Sequence, residues 1–250
     1  MLSDETRCFL AFCVLTAIGL GIAGWIFRIL QRSPFTPAQS ALYALNYLLA
    51  RILWRLRVEG VFPIPPGQGA VIVCNHRCPL DPSFIAMTTT RVVHWMVAKE
   101  YCETPVLREL LRTCEVIPVR RGTIDLTAVR TAIRLVEQGE LVGIFPEGRI
   151  NVTKDLLLPG HTGAAMIAMK ARAPVVPCYI QGAPYDGTTL GCMVMPASVR
   201  LVIGQPIDVA SCPEQGDQRE AQTALTRRFL VEIARLAGQP DFQPKRVMRS

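Results

Sequence analysis

Seven short apolar runs, each closing on polar residues or glycine, constrain this 250-residue chain more than any other feature. They are RLRVEG, AVIVCN, VVHWMVA, CEVIPV, ELVGIF, PVVPCYI and SVRLVIG. Segments with helical character lie near residues 82–90, 103–113, 123–138 and 161–172, and an amphipathic stretch covers 218–237. Runs of β-branched residues with little alternation suit strands buried on both faces. The order predicts an α/β fold, with a mixed, mostly parallel sheet flanked by helices. Half of the residues are hydrophobic, enough for a full core. The third helical segment is well punctuated, with Thr123 as N-cap, Asp125 in the first turn and Gly139 just past the end.

The N-terminus predicts a helical membrane anchor. Cys8 to Phe27 carries no charge, and about 20 apolar residues match a hydrocarbon core of about 30 Å. Trp25, Arg28 and Arg32 stand where interfacial anchors would. The leader MLSDETR, with Asp4 and Glu5, lacks the basic balance of a signal peptide, and no small-x-small cleavage site precedes Gln31. Arg28, Arg32, Arg51, Arg55 and Arg57 favour the cytoplasmic face of the membrane for the rest of the chain. A second apolar stretch, residues 38–56, follows Pro34 and Pro37 and reads equally as an interfacial helix or a core helix. The expected division is 1–57 membrane-associated helices, 58–238 catalytic domain and 239–250 a basic tail with Lys245, Arg246 and Arg249.

Twenty-seven basic residues against 20 acidic ones give a net charge of +7, which suits a partner carrying phosphates. The apolar N-terminus selects membrane lipid over nucleic acid. Nine cysteines, odd in number and scattered, indicate a reducing environment rather than a disulfide framework. Cys74, His76 and Cys78 have no second Cys/His cluster to complete a zinc site, and His94 and His161 stand alone in the sequence.

The chemistry concentrates in VIVCNHRCPLDP, residues 71–82. A buried strand there ends in Asn75, His76 and Arg77, with Asp81 five places beyond the histidine. On a continuous helix such residues would diverge by about 140°. Pro79 prevents that helix, and Pro82 resembles a first helical residue behind an Asp81 N-cap. The turn between can fold Asp81 back to fix the tautomer of His76 and stabilise its protonated form. No serine stands in a G-x-S-x-G setting, so the pair suits a reaction in which the substrate's own hydroxyl attacks. Backbone N–H groups opening the next helix are candidates for an oxyanion site. Taken alone, H-x4-D reads equally as ordinary loop and cap residues.

GIFPEGRI, residues 143–150, repeats the design, with Glu147, Gly148 and Arg149 at a strand end. Gly148 permits close backbone approach, and Arg149 offers a planar fork for phosphate. VIPVRRG, residues 116–122, places Arg120 and Arg121 at another strand end. Surface salt bridges are the alternative for either arginine cluster.

These residues resemble the glycerophospholipid acyltransferases typified by 1-acylglycerol-3-phosphate acyltransferase. NHRCPLD, VIPVRR, FPEGR and VVPCYI follow the order of that family's four blocks, over about residues 58–205. The resemblance implies that His76 is the general base and Asp81 its partner. It further implies that Arg121, Glu147 and Arg149 hold a phosphate-bearing lysophospholipid acceptor, supported by Gly148. Lys99 matches a lysine common after the family's next strand. An acyl-CoA or acyl-carrier protein donor is implied as substrate, with no cofactor or metal. Glu115 stands near the place where the second block usually has glycine. Arg149 directly follows Gly148, a variant similar to the acyltransferase parts of 2-acylglycerophosphoethanolamine acyltransferases, which leaves the head group open. A thioester hydrolase and a non-catalytic lipid-binding protein of the same fold are the competing classes.

Overall fold

The structure, a computed structural model, describes residues 12, 16, 35–122, 125–185, 187–188, 191–209, 217–244 and 247–248. All seven apolar runs form strands: β1 (Arg57–Glu59), β2 (Ala70–Cys74), β3 (Val93–Ala98), β4 (Ile117–Val119), β5 (Leu141–Ile144), β6 (Val175–Gln181) and β7 (Arg200–Ile203). They build one sheet in the order β1-β7-β6-β2-β5-β3-β4. Every pairing is parallel except that of β6 with β7. The strands β6, β2, β5, β3 and β4 therefore share one direction, and their C-terminal ends meet along one edge. In open α/β sheets that edge is where ligands bind.

The helices are α1 (Pro37–Ile52), α2 (Asp81–Ala86), α3 (Lys99–Glu103), α4 (Pro105–Thr113), α5 (Leu126–Glu137), α6 (Gly163–Ala171) and α7 (Gln218–Leu236). They cover both faces of the sheet, which explains the uninterrupted apolar strands. Val71 and Val73 of β2 join a core with Ala132 of α5, Ile167 of α6 and Phe229 and Ile233 of α7. Ile72 and Cys74 enter a second core with Ala50, Trp54, Phe84 and Ile85. All five residues of β2 are buried.

Contacts divide the chain into Met1–Leu42 and Tyr43–Ser250, rather than at residue 57. Residues after Tyr43 join the α/β unit because Ala50 and Trp54 are buried in the second core. On the rest of this stretch of α1, Leu45, Tyr47, Leu48 and Ile52 stay exposed. Among the described residues no helix is long and apolar enough to cross a membrane. The expected anchor, Cys8 to Phe27, lies outside the described residues except for Phe12 and Thr16, as do Arg28, Arg32 and Pro34. Lys245, Arg246 and Arg249 also lie outside them.

Two helix starts differ from expectation. Thr123 lies outside the described residues, and Asp125 is the cap of α5, accepting from the N–H groups of Thr127 and Ala128. Asp125 also accepts from Arg120 N at 3.1 Å, so one carboxylate joins the end of β4 to α5. Asp81 is not the cap of α2 but its first residue, behind Leu80, because its carboxylate turns back into the preceding loop.

Gly143 fixes one further packing element. A Cβ there would lie 2.5 Å from the Trp95 indole, which occupies the space a side chain would need. Gly143→Ala is expected to cost about 1–3 kcal/mol through overpacking, read as a lower urea midpoint; an unchanged midpoint would show that the indole yields freely.

Candidate active site

The site begins where β2 ends. Asn75, 1% exposed, closes a two-bond ring with β6: Nδ2 donates to Ile180 O at 2.8 Å, and Oδ1 accepts from Ile180 N at 2.7 Å. This fixes the direction in which the chain leaves the sheet. His76 follows, tied by its backbone on both sides. Its N–H donates to Glu147 Oε1 at 2.8 Å, and its carbonyl accepts from Asn151 N at 2.7 Å.

The His76 ring is held by a carboxylate and by a face-to-face stack. Nδ1 lies 2.9 Å from Asp81 Oδ2, and the ring rests on Phe145 with centroids 3.9 Å apart at 8°. Phe145 stacks in turn on Trp95 at 4.6 Å, so Gly143 supports the imidazole through two rings. A carboxylate can only accept, which assigns the proton to Nδ1 and leaves the lone pair of Nε2 for a substrate. The imidazole is 16% exposed, whereas the Asp81 side chain is 0% exposed.

Asp81 Oδ2 also accepts from Arg77 N at 2.6 Å and Cys78 N at 2.9 Å. Its Oδ1 is buried without a hydrogen-bond partner among the described residues. The N–H groups at the start of α2 do not form the expected oxyanion site. Asp81 N donates to Cys78 O, Ser83 N donates to Leu80 O, and Pro82 has no N–H.

Glu147 lies beneath this loop. It is 2% exposed, and its second oxygen, Oε2, accepts from Leu158 N at 2.8 Å. Burial pushes its pKa up, against the opposing effect of the Leu158 and His76 N–H bonds and of the nearby Arg77 and His76 charges. Both oxygens thus accept from backbone N–H groups, of His76 and of Leu158 in the strap formed by residues 151–158. Arg77 completes the strap, donating to the carbonyls of Asn151, Thr153, Asp155 and Leu156 at 3.0, 2.8, 2.5 and 3.1 Å.

Gly148 adopts φ +67°, and a Cβ on it would press on the His161 ring at 3.1–3.3 Å. Arg149 is exposed and makes no salt bridge among the described residues. Of the other expected cations at the same sheet edge, Lys99 and Arg121 form surface ion pairs. Lys99 Nζ lies 3.2 Å from Glu103 Oε1. Arg121 Nε lies 3.2 Å from Glu100 Oε1, and its guanidinium sits 5.4 Å from the Tyr101 ring centre. Arg120 has an exposed side chain. Exposed pairs of this kind are worth about 0–1 kcal/mol, less than a charge-assisted bond to a buried partner at about 1.5–3 kcal/mol.

The structure therefore brings His76, Asp81 and Glu147 together by direct bonds. Arg149 follows Glu147 by two residues, while Lys99, Arg120 and Arg121 share the edge without a bond to the histidine loop. Sequence reading did not assign roles to Asn75, Arg77, Phe145, Trp95, Asn151 or His161. Only Asn75 carried a signal, as the polar residue immediately after an apolar strand. Cys78 lies two residues from His76, but burial holds its thiol well above the ordinary range; burial likewise pushes Cys178 up to about 12. Neither thiol supplies a ready thiolate.

An Acyltransferase family model matches residues 55–181. The chain is 30% identical over 182 residues to a 1-acyl-sn-glycerol-3-phosphate acyltransferase of Bacillus subtilis (strain 168), covering 71% of this chain and 86% of that protein. It is 31% identical over 144 residues to the Mus musculus 1-acyl-sn-glycerol-3-phosphate acyltransferase alpha, covering 52% and 47% of the two chains. The fold matches the crystal structure of the 1-acyl-sn-glycerophosphate (LPA) acyltransferase PlsC from Thermotoga maritima with a TM-score of 0.61, at 22% identity, over 82% of this chain and 80% of that one.

His161 provides a pH test of this packing. Burial, then the Arg149 charge, pushes its pKa below the ordinary value. As pH falls through about 6.5 the unfolded chain takes up this proton before the folded one does, so its contribution to stability is lost on acidification. The fall in urea midpoint between about pH 7.5 and 5.5 is expected to be smaller in His161→Gln than in the wild type. Equal falls would remove His161 from the acid sensitivity of the fold.

Proposed function

The chain belongs to the acyltransferase family, among the glycerophospholipid acyltransferases, and from that premise we propose that it moves a fatty acyl group from an acyl thioester to the glycerol hydroxyl of a lysophospholipid. The acceptor we propose is 1-acylglycerol-3-phosphate, the substrate class named for the Bacillus and mouse relatives. The observation that carries the reading is the 2.9 Å bond from His76 to a carboxylate with 0% exposure, which leaves Nε2 as the available base.

In this mechanism Nε2 takes the hydroxyl proton as the glycerol oxygen attacks the thioester carbon. Asp81 stabilises the imidazolium. The tetrahedral intermediate collapses with cleavage of the C–S bond, and the imidazolium returns its proton to the departing thiolate. Arg149 is the proposed first phosphate contact, because it has no competing salt bridge among the described residues. Arg120, Arg121 and Lys99 are proposed to join it, since a phosphate bidentate to arginine can displace weak surface pairs. Glu147 is proposed as a positioning residue that holds His76 N, and Gly148 as the point of close approach. Fixing both substrates in this geometry supplies the rest of the acceleration.

Membrane attachment is part of the proposal. The uncharged run from Cys8 to Phe27 and the exposed Leu45, Leu48 and Ile52 of α1 support it, with Arg51 and Arg55 placed to meet anionic head groups on the cytoplasmic face. An acceptor that already carries one fatty chain would then reach the site from the bilayer.

The test is to incubate purified protein with labelled acyl thioester and a panel of lysophospholipids. Diacyl lipid is the expected product; free fatty acid alone would identify a hydrolase, and no product a binding protein. His76→Ala is expected to lower transfer by roughly 10²–10⁴-fold with the fold retained by circular dichroism, and turnover at the wild-type rate would remove His76 from the mechanism. Arg149→Ala is expected to raise acceptor KM by about ten-fold with smaller change in donor KM; unchanged acceptor dependence would refute its role.

A further inference from the structure

β4 ends the sheet, so it pairs on one side only, with Ile117, Pro118 and Val119 opposite Met96, Val97 and Ala98 of β3. One of these three residues is a proline without an N–H, and so short a ladder holds a strand weakly. Yet this strand delivers Arg120 and Arg121 to the sheet edge that carries His76.

Side-chain ties fix both of its ends. Beyond β4, Asp125 Oδ2 accepts from Arg120 N at 3.1 Å. Before it, the buried His94 of β3 lies with Nδ1 2.9 Å from Glu115 O. A carbonyl only accepts, so Nδ1 carries the proton and donates it to this bond.

The His94 tie falls at a strained bend. α4 closes in a Schellman turn, in which Glu115 N donates to Arg112 O at 3.0 Å and Val116 N to Leu111 O at 3.3 Å. The residue at such a bend is left-handed, which is why glycine is usual there. Glu115 takes that conformation with φ +52°, and a residue with a side chain stays in it only where its surroundings hold it. The carbonyl whose direction the bend sets is the one that His94 holds. The Glu115 carboxylate contributes less: it is 51% exposed, and Oε2 lies 3.9 Å from Nδ1. We propose that His94 is a positioning residue for the phosphate-bearing acceptor, a role that rests on the acceptor reading above. By fixing the peptide after Glu115 it sets the line along which β4 leaves the bend, and with it the place of Arg120 and Arg121. The imidazole itself touches no substrate.

The test measures binding of 1-acylglycerol-3-phosphate alone to the full-length protein in detergent micelles by calorimetry, beside KM and kcat in the transfer assay. His94→Gln keeps nearly the volume of the ring but carries its amide nitrogen at the Nε2 position, whereas the smaller His94→Asn can place one at Nδ1. His94→Gln is expected to weaken acceptor binding and raise acceptor KM about five-fold, with kcat and donor KM within about two-fold of the wild type. His94→Asn is expected to stay within about two-fold of the wild type in all four. Adding Glu115→Gly to His94→Gln is expected to recover most of the lost affinity, since glycine holds the bend without the tie. No binding to the wild type, acceptor binding unchanged in His94→Gln, a matching change in kcat or donor KM, or a loss in His94→Asn as large as in His94→Gln would overturn the assignment. Weakened acceptor binding in His94→Gln, with no diacyl product from the wild type, would leave the positioning role standing and remove the transfer reading; diacyl product with unchanged acceptor binding in His94→Gln would do the reverse.

Discussion

The buried carboxylate of Asp81 is the constraint on which the site depends. Removing a carboxylate from water costs several kcal/mol even after relaxation, and it stays ionised only where donors surround it. Here one oxygen collects His76 Nδ1, Arg77 N and Cys78 N, and these bonds curl residues 76–81 into a closed loop. The same bonds orient the imidazole. Loop shape and the orientation of the His76 ring therefore have one cause, and a residue that left this carboxylate unpaired would disturb both.

Around that loop the protein uses polar side chains as cross-ties between strand ends. Asn75 binds the β6 backbone, Glu147 binds the N–H groups of His76 and Leu158, and Arg77 gathers four carbonyls of the strap. A parallel sheet makes this possible by delivering consecutive β2, β5 and β6 ends to one edge. The loops that leave it carry backbone groups without ladder partners, and buried groups of that kind must be satisfied. Glu147, the residue expected from resemblance to touch the acceptor, has both oxygens committed to this task instead. The exposed neighbour Arg149 makes no salt bridge among the described residues.

The sheet was legible because its central strands β2, β5 and β6 are buried on both faces and read as apolar runs, which the exposed β1 and the three-residue β4 do only in part. Helix boundaries were less so. The run expected over 103–113 forms one helix from Pro105, and a separate helix, α3, precedes it, since Pro105 holds Thr104 in an extended conformation, ψ 123°, between the two. His76 and Asp81 were legible as a pair because Pro79 excludes the helix that would separate them. The Phe145–Trp95 stack and the Arg77 strap were not, because each depends on which strands are neighbours. β3 lies beside β5 only in the folded sheet order, and nothing local in the sequence specifies that adjacency.

The placement of charge follows from the same order. Strand ends on the β5, β3 and β4 side lead into exposed Arg149, Lys99, Arg120 and Arg121, while at the β6 end Arg200, beside Gln181, is paired with Glu59, and Arg77 is bound to four carbonyls. Burial holds the Cys78 thiol well above its ordinary range, and no serine stands in a G-x-S-x-G setting, so neither residue type offers a ready nucleophile beside His76.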